Sequence, residues 1–419
     1  MRKMLILTLL SVMCLSGCSN NQVDGELEPL HIDDYEDDNS SVDLEEVEMK
    51  TNNIENSVIV ADMIAKQNSG KNVMFSPTSL NFALGLVSEG SDNESKELLT
   101  RYLGTDTYGD FAKEYLSNIT QYNSENEVYG YKTKLEIANA LWVDDERTLK
   151  SSFEETAADK YQAKTETLDF DKTADACDVI NSWSNEKTYG LIPEIVSPDT
   201  INSETEMVLT NSVYFESAWL DNWNFIEEDD VFALSDGNTE TTQYMYNNGG
   251  AYFENEKAVG FSSQYISGLE FIGILPKTEG DFSLEDLDIA GLLETRNHNY
   301  DELNCKMPKL AFNTTSNLTD ILSAFGMDSL FTDDATIFDI ADKPLKISNI
   351  IQKTRLELDD KGTKAAAVTA VSMNLATSMR PPEDPVIKEV YLDRPFAFLI
   401  YDSKNDEILF IGKVNTTKD

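Results

Sequence analysis

The chain has 419 residues, 41% of them hydrophobic, enough for one large core or for two or three small ones. Its formal net charge is -43. So acidic a chain is not built for nucleic acid or for anionic lipid, because both need a basic face. The acidity itself mostly keeps a protein soluble.

In chain order, Arg2 and Lys3 open a short basic region, and residues 4–14 are apolar. That stretch is too short for a membrane span and the right length for a secretion signal. It runs into Leu15-Ser16-Gly17-Cys18, which resembles a bacterial lipobox. The resemblance implies a signal peptide over 1–17 and lipid on Cys18 as the mature first residue, so that the protein is tethered at the outer face of a bacterial membrane without spanning it. An ordinary signal cleaved near the same place is the alternative. Residues 18–50 then carry "HIDDYEDDNSSVDLEEVEM", dense in carboxylates and without apolar periodicity. Self-repulsion makes this an extended, disordered tether.

Ordered structure is expected from Thr51. Residues 53–67 show helical spacing (Ile54, Val58, Ala61, Ile64, Ala65). "NVMFSPTSLNFALGLVSEG" starts as a strand and becomes a helix after Pro77, while "LEIANALWVDD" alternates as a strand does. Residues 175–188 read as a helix ending before Gly190. "MVLTNSVYFESAW" and "LEFIGILPK" are apolar enough for strands buried on both faces. "SNLTDILSAFGM" reads as a helix, "PLKISNIIQKTRLELDDKG" as a strand, and "RPFAFLIYD" with "EILFIGKV" as a closing hairpin. With no repeat and no second linker, 51–419 is expected to be one domain.

Catalysis is weakly supported. Of the two histidines, His31 lies in the tether and His298 in a polar, loop-like stretch. There is no HExxH, GxSxG, Gly-rich phosphate loop or CxxC pair, so no enzyme, metal or cofactor is expected. Cys14 leaves with the signal, and Cys177 and Cys305 remain, read as two buried free thiols rather than a bridge.

One stretch stands out. "GTKAAAVTAVSMNLATSMRPPEDP" begins at Gly362, strand-like at first and proline-rich at its end. A strand must alternate faces. One face reads Thr363, Ala365, Ala367, Thr369, Val371, Met373, Leu375 and grows apolar; the other reads Lys364, Ala366, Val368, Ala370, Ser372, Asn374 and is mostly small or polar. The first residues are small enough to slip between two existing strands. Proline, which would remove a ladder donor, is absent until Pro381.

Together with "NVMFSPTSLNFALGLVSEGSDNESKELL", "INSWSNEKTYGLIPEIV", "MVLTNSVYFESAW" and "RPFAFLIYDSKNDEILFIGKV", in order and spacing, these segments resemble the serpin family over nearly the whole folded part. The resemblance implies an α+β fold of three β-sheets with eight or nine helices, and an exposed reactive loop able to insert into the main sheet. It implies a monomer that acts as a suicide substrate. A serine protease cleaves the loop and becomes acylated, and loop insertion traps the covalent complex.

By the same resemblance, Asp360, Gly362, Thr363, Ala365, Ala366, Ala367 and Val368 form the hinge. Asp360 replaces the usual Glu, and Lys364 stands where Glu is common. Ser76, Ser79, Asn211 and Gln352 correspond to a polar cluster governing sheet opening, with Gln352 in the place of a frequent histidine. Trp219 corresponds to a packing residue at the top of the sheet. Counting seventeen residues from Asp360, with the acid as the first, puts the reactive bond at Ala376–Thr377, which suits an elastase-like protease. Leu375 and Met379 are the alternatives, since Arg380 precedes a proline. A non-inhibitory serpin acting as a binding module, or an inhibitor of subtilisin- or chymotrypsin-like proteases, stays open. A lipid-anchored solute-binding protein would share the lipobox and tether but leaves the inserting strand without a role.

Overall fold

A computed structural model describes residues 49–50, 53–126, 131–221, 223–363 and 385–418. Its helices are α1 (Asn53–Gln67), α2 (Pro77–Glu89), α3 (Asn93–Leu103), α4 (Tyr108–Asn118), α5 (Ser151–Tyr161), α6 (Thr173–Lys187), α7 (Ile289–Glu294) and α8 (Thr319–Leu322). The strands are β1 (Val73–Phe75), β2 (Ser124–Asn126), β3 (Tyr131–Asp144), β4 (Lys164–Leu168), β5 (Met207–Ala218), β6 (Asn224–Ala233), β7 (Thr239–Asn248), β8 (Tyr252–Glu254), β9 (Ala258–Gln264) and β10 (Glu270–Pro276). They continue with β11 (Glu302–Pro308), β12 (Leu310–Asn317), β13 (Asn349–Asp359), β14 (Gly362–Thr363), β15 (Ile387–Tyr391), β16 (Phe396–Asp402) and β17 (Glu407–Val414).

Three sheets result. The largest runs β12-β13-β14-β5-β3-β2, with β4 also on β3. A six-stranded sheet runs β1-β17-β16-β10-β9-β8, and a four-stranded one β15-β11-β7-β6.

Strand character follows from where each strand sits. Every residue of β5 and of β10 is buried, as their near-continuous apolar sequences require of central strands. The edge strand β12 alternates strictly between buried and exposed. On β5, Met207, Leu209, Val213 and Phe215 enter the main core with α2, while Val208 turns to the opposite face and packs with Ile180 and Trp183 of α6. The largest sheet is thus covered on both sides.

At the entry to α2, Ser76 is the N-cap, its hydroxyl accepting from the Ser79 N–H at 3.4 Å, and Pro77 takes the first helical turn, where its missing N–H costs nothing. "SNLTDILSAFGM" is less helical than its composition suggests. Ser316 and Asn317 are drawn into β12 by pairing with Gln352 and Ile351, α8 spans four residues, and the chain continues as a wider turn in which Gly326 adopts φ 83°. Cys177 and Cys305 are buried and unpaired, and burial raises both thiol pKa values. His298 is exposed.

Candidate functional site

The largest sheet is closed at one end and parted at the other. The parallel neighbours β13 and β5 pair directly from Asn349–Val208 to Lys353–Ser212. At the far end β14 lies between them and antiparallel to both. Thr363 pairs with Leu358 and with Ser217, and Gly362 with Asp359 and with Ala218.

Only glycine fits the first of these positions. Gly362 has φ +150°, and an added Cβ would stand 2.1 Å from the Ser217 carbonyl oxygen. Thr363 is 3% exposed, with its Oγ1 2.7 Å from the Tyr265 hydroxyl. Tyr265 stacks on Trp219 with ring centroids 4.3 Å apart. Trp219 closes the end of the sheet: its indole N–H donates to the Asp359 carbonyl at 2.8 Å and its backbone N–H to the Lys361 carbonyl at 2.9 Å. The Asp359 carboxylate accepts from the N–H groups of Lys361 and Gly362, which holds the turn. Burial raises its pKa nonetheless. Asp360, at the start of the expected hinge, is paired with Lys309 at 2.6 Å.

Lower in the sheet lies a polar row. Gln352 and Asn139 both pair with Asn211 across the strands. Gln352 uses both ends of its amide on one residue: Oε1 accepts from the Ser76 N–H at 2.7 Å, and Nε2 donates to the Ser76 carbonyl at 3.0 Å. Asn211 instead donates to Asn139 Oδ1 at 2.8 Å. Ser79 Oγ, Asn211 Oδ1 and Asn139 Nδ2 are buried with no hydrogen-bond partner, so the row is incompletely satisfied.

The structure therefore brings Ser76, Ser79, Asn211 and Gln352 into one layer and sets Trp219 over Gly362 and Thr363. Sequence reasoning passed over Asn139, Tyr265 and Asp359. For Asn139 the signal was present, as the lone amide set among Leu135, Ile137, Leu141 and Val143 on one face of β3. Ala365, Ala366, Ala367, Val368, Leu375, Ala376, Thr377, Met379 and Cys18 lie outside the described residues, as do the signal and the tether up to residue 48. The last two residues of the expected tether are ordered, Met49 packing against the core and the Lys50 N–H donating to Asn56 Oδ1 at 2.7 Å. Among the described residues no group of His, Cys, Asp and Glu is arranged to hold a metal ion.

The family model for serpins, serine protease inhibitors, matches residues 51–417. The chain belongs to the serpin family. It is 30% identical over 378 residues to serpin-Z2A of Triticum aestivum, covering 83% of this chain and 90% of that one. Serpin-Z4 of Hordeum vulgare is 31% identical over 376 residues, covering 82% and 89%. Among solved structures, serpin48 of the insect Tenebrio molitor superposes with TM-score 0.73 at 26% identity, covering 88% of this chain and 98% of that one. The thermophilic serpin tengpin in its native state gives TM-score 0.72 at 26% identity, covering 89% and 97%. The fold of this serpin is accordingly α+β with three sheets, and among the described residues it has eight α-helices. Serpins are typically protease inhibitors, which form covalent complexes with their targets, rather than enzymes.

Proposed function

We propose that this serpin traps elastase-like serine proteases, with attack at Ala376–Thr377 followed by insertion of the loop between β13 and β5. The observation that carries the reading is the register of β14. Thr363 already faces Leu358 on one side and Ser217 on the other. Carried on, the same register sets Lys364 between Glu357 and Glu216, a cation between two carboxylates, where the usual Glu of the family would meet repulsion. Six residues beyond Thr363 it sets Thr369 between Gln352 and Asn211, on the face of the polar row. Thr369 is the one polar residue on its face after Thr363. Its hydroxyl would meet the unpaired Asn211 Oδ1 and Ser79 Oγ. Insertion through Ser372 would reach Asn349 and Val208 and replace every direct rung between β13 and β5. Lys364 and Thr369 thus find matching neighbours, and each lost rung is replaced by two.

The small residues Ala376 and Thr377 suit a shallow specificity pocket. Leu375 or Met379 at the bond would redirect the inhibitor to chymotrypsin- or subtilisin-like proteases. Lipid on Cys18 would place the inhibitor at the outer face of a bacterial membrane, where such proteases are met.

The test mixes residues 51–419 with pancreatic or neutrophil elastase. The expected result is a covalent complex on a denaturing gel and a released peptide that begins at Thr377. Cleavage with no complex, repeated across trypsin-, chymotrypsin- and subtilisin-like enzymes, would remove the inhibitory reading. Thr369→Val gives a second check on the register. It is expected to leave native stability unchanged and to lower that of the cleaved, inserted form by about 1–3 kcal/mol, the effect of leaving a buried acceptor unsatisfied. Equal melting of the two cleaved proteins would argue for another register.

A further inference from the structure

The strand β3 has an open edge in its middle. On the side away from β5, β2 pairs with Tyr131, Lys132 and Thr133, and β4 pairs from Ala140 to Asp144. Between them, among the described residues, 134–139 pair only with β5. The Leu135 N–H points to this open side, because it donates to Asn123 Oδ1 at 2.7 Å. By the pleat, the N–H and C=O of Ile137 point the same way. They face a cavity of about 520 Å3 whose apolar lining includes Leu116, Ile119, Leu135, Ile137 and Ala163. Asn139, 2% exposed, also lines it, and its Nδ2 is buried without a partner.

We infer that this edge is a binding site for an extended, uncharged peptide segment of a partner protein, which adds as a strand between β2 and β4. Three features select that occupant. The vacancy is strand-shaped, six residues or roughly 20 Å long, and continues the lines of two strands already on the same edge. The groups left open are a backbone donor and acceptor and one amide, so a peptide backbone satisfies them in kind. The rim charges balance only when their partners are counted: Lys134, Lys164 and Lys187 are set against Glu136 and Glu186 of the lining and Glu166, which pairs with Lys164 at 2.6 Å. Glu136 lies 3.4 Å from the Lys134 ammonium and 3.9 Å from that of Lys187, so no strong net sign is left to attract a charged ligand. β-Branched side chains suit an added strand in general.

The test uses the full chain and a capped five-residue peptide of alternating threonine and valine, beside the same peptide N-methylated at its central residue. Binding is followed by calorimetry and by amide hydrogen exchange. The expected result is binding that protects the amides of residues 134–139 and weakens at least about tenfold on N-methylation, which removes one backbone donor. Ala163→Trp, which fills the cavity, is expected to abolish binding while the variant keeps its far-ultraviolet spectrum. Protection at residues 213–218 and 354–359 instead would mean that the peptide enters the parted sheet, and would overturn the site. Indifference to N-methylation, or no binding at about 1 mM peptide, the weak limit of specific recognition, would overturn it as well.

Discussion

Thr363→Arg is expected to abolish the covalent complex with the target protease while the loop is still cleaved. Thr363 is buried at the edge of an aromatic cluster: its hydroxyl meets Tyr265, which is stacked under Trp219 and stands edge-on to Phe215 with centroids 5.0 Å apart. Among the described residues its side-chain hydrogen-bond partner is a tyrosine hydroxyl, not a carboxylate that could receive a guanidinium. An unpaired charge taken out of water costs several kcal/mol even after relaxation. The arginine would therefore hold β14 out of the gap between Leu358 and Ser217, where any further strand must start. Insertion then loses its race with deacylation, and the inhibitor becomes a substrate. The measurement is the ratio of complex to cleaved serpin on a denaturing gel, expected to fall by at least about tenfold, the effect of about 1.4 kcal/mol on the insertion barrier. Thr363→Ser keeps the hydroxyl and should retain the complex. Undiminished trapping by the arginine variant would mean that the loop enters somewhere other than beside β14.

The second large effect concerns a buried acid far from the gap. Glu407 opens β17 and is 8% exposed. Burial pushes its carboxyl up to about 7, the Asp402 and Asp406 carboxylates add to the rise, and the hydrogen bond from the Thr78 hydroxyl opposes it. That hydroxyl has one proton and two acceptors, Glu407 Oε2 at 3.0 Å and the Ile408 carbonyl at 2.8 Å. Asp402, by contrast, gathers donors from Tyr115, Tyr122 and Asn405.

Because the folded value lies above the ordinary 4.5, the folded state holds a proton that the unfolded chain releases as pH rises from about 4.5 to about 7. Stability falls through that window. Above it both states are ionised and the loss is constant, on the order of 3 kcal/mol. Glu407→Gln removes the charge and keeps a group able to accept from Thr78. It is expected to raise the urea midpoint at pH 8 and to change it little at pH 4.5. Equal gains at both pH values would show that packing, not ionisation, sets the difference.

Much of this molecule could be read from local sequence. The double-sided burial of β5 follows from "MVLTNSVYF", the start of α2 from Ser76 and Pro77, and the β16–β17 hairpin from two apolar runs around a polar turn. These depend on residues close in the chain. The Asn139–Asn211 contact depends on the register of β3 against β5, and the Thr363–Tyr265 bond on the packing of β14 against the turn after β9, pairs that are 72 and 98 residues apart in sequence. A one-residue slip of β3 would turn Asn139 to the opposite face, and no short motif records either the register or the packing. α8 was misread for the same reason, since β13 claims Ser316 and Asn317 for the sheet against their place in a helical pattern.

The six-stranded sheet also fixes when the protein can become complete. β1, near the start of the folded part, has β17 as its neighbour, with Val73 opposite Lys413. The strand that joins β1 to β16 therefore leaves the ribosome long after β1 does. Until then Val73, Met74 and Phe75, all nearly inaccessible in the finished protein, have no sheet to join. Contacts of such long separation form slowly. The six-stranded sheet therefore stays open at β1 until β17 has been made.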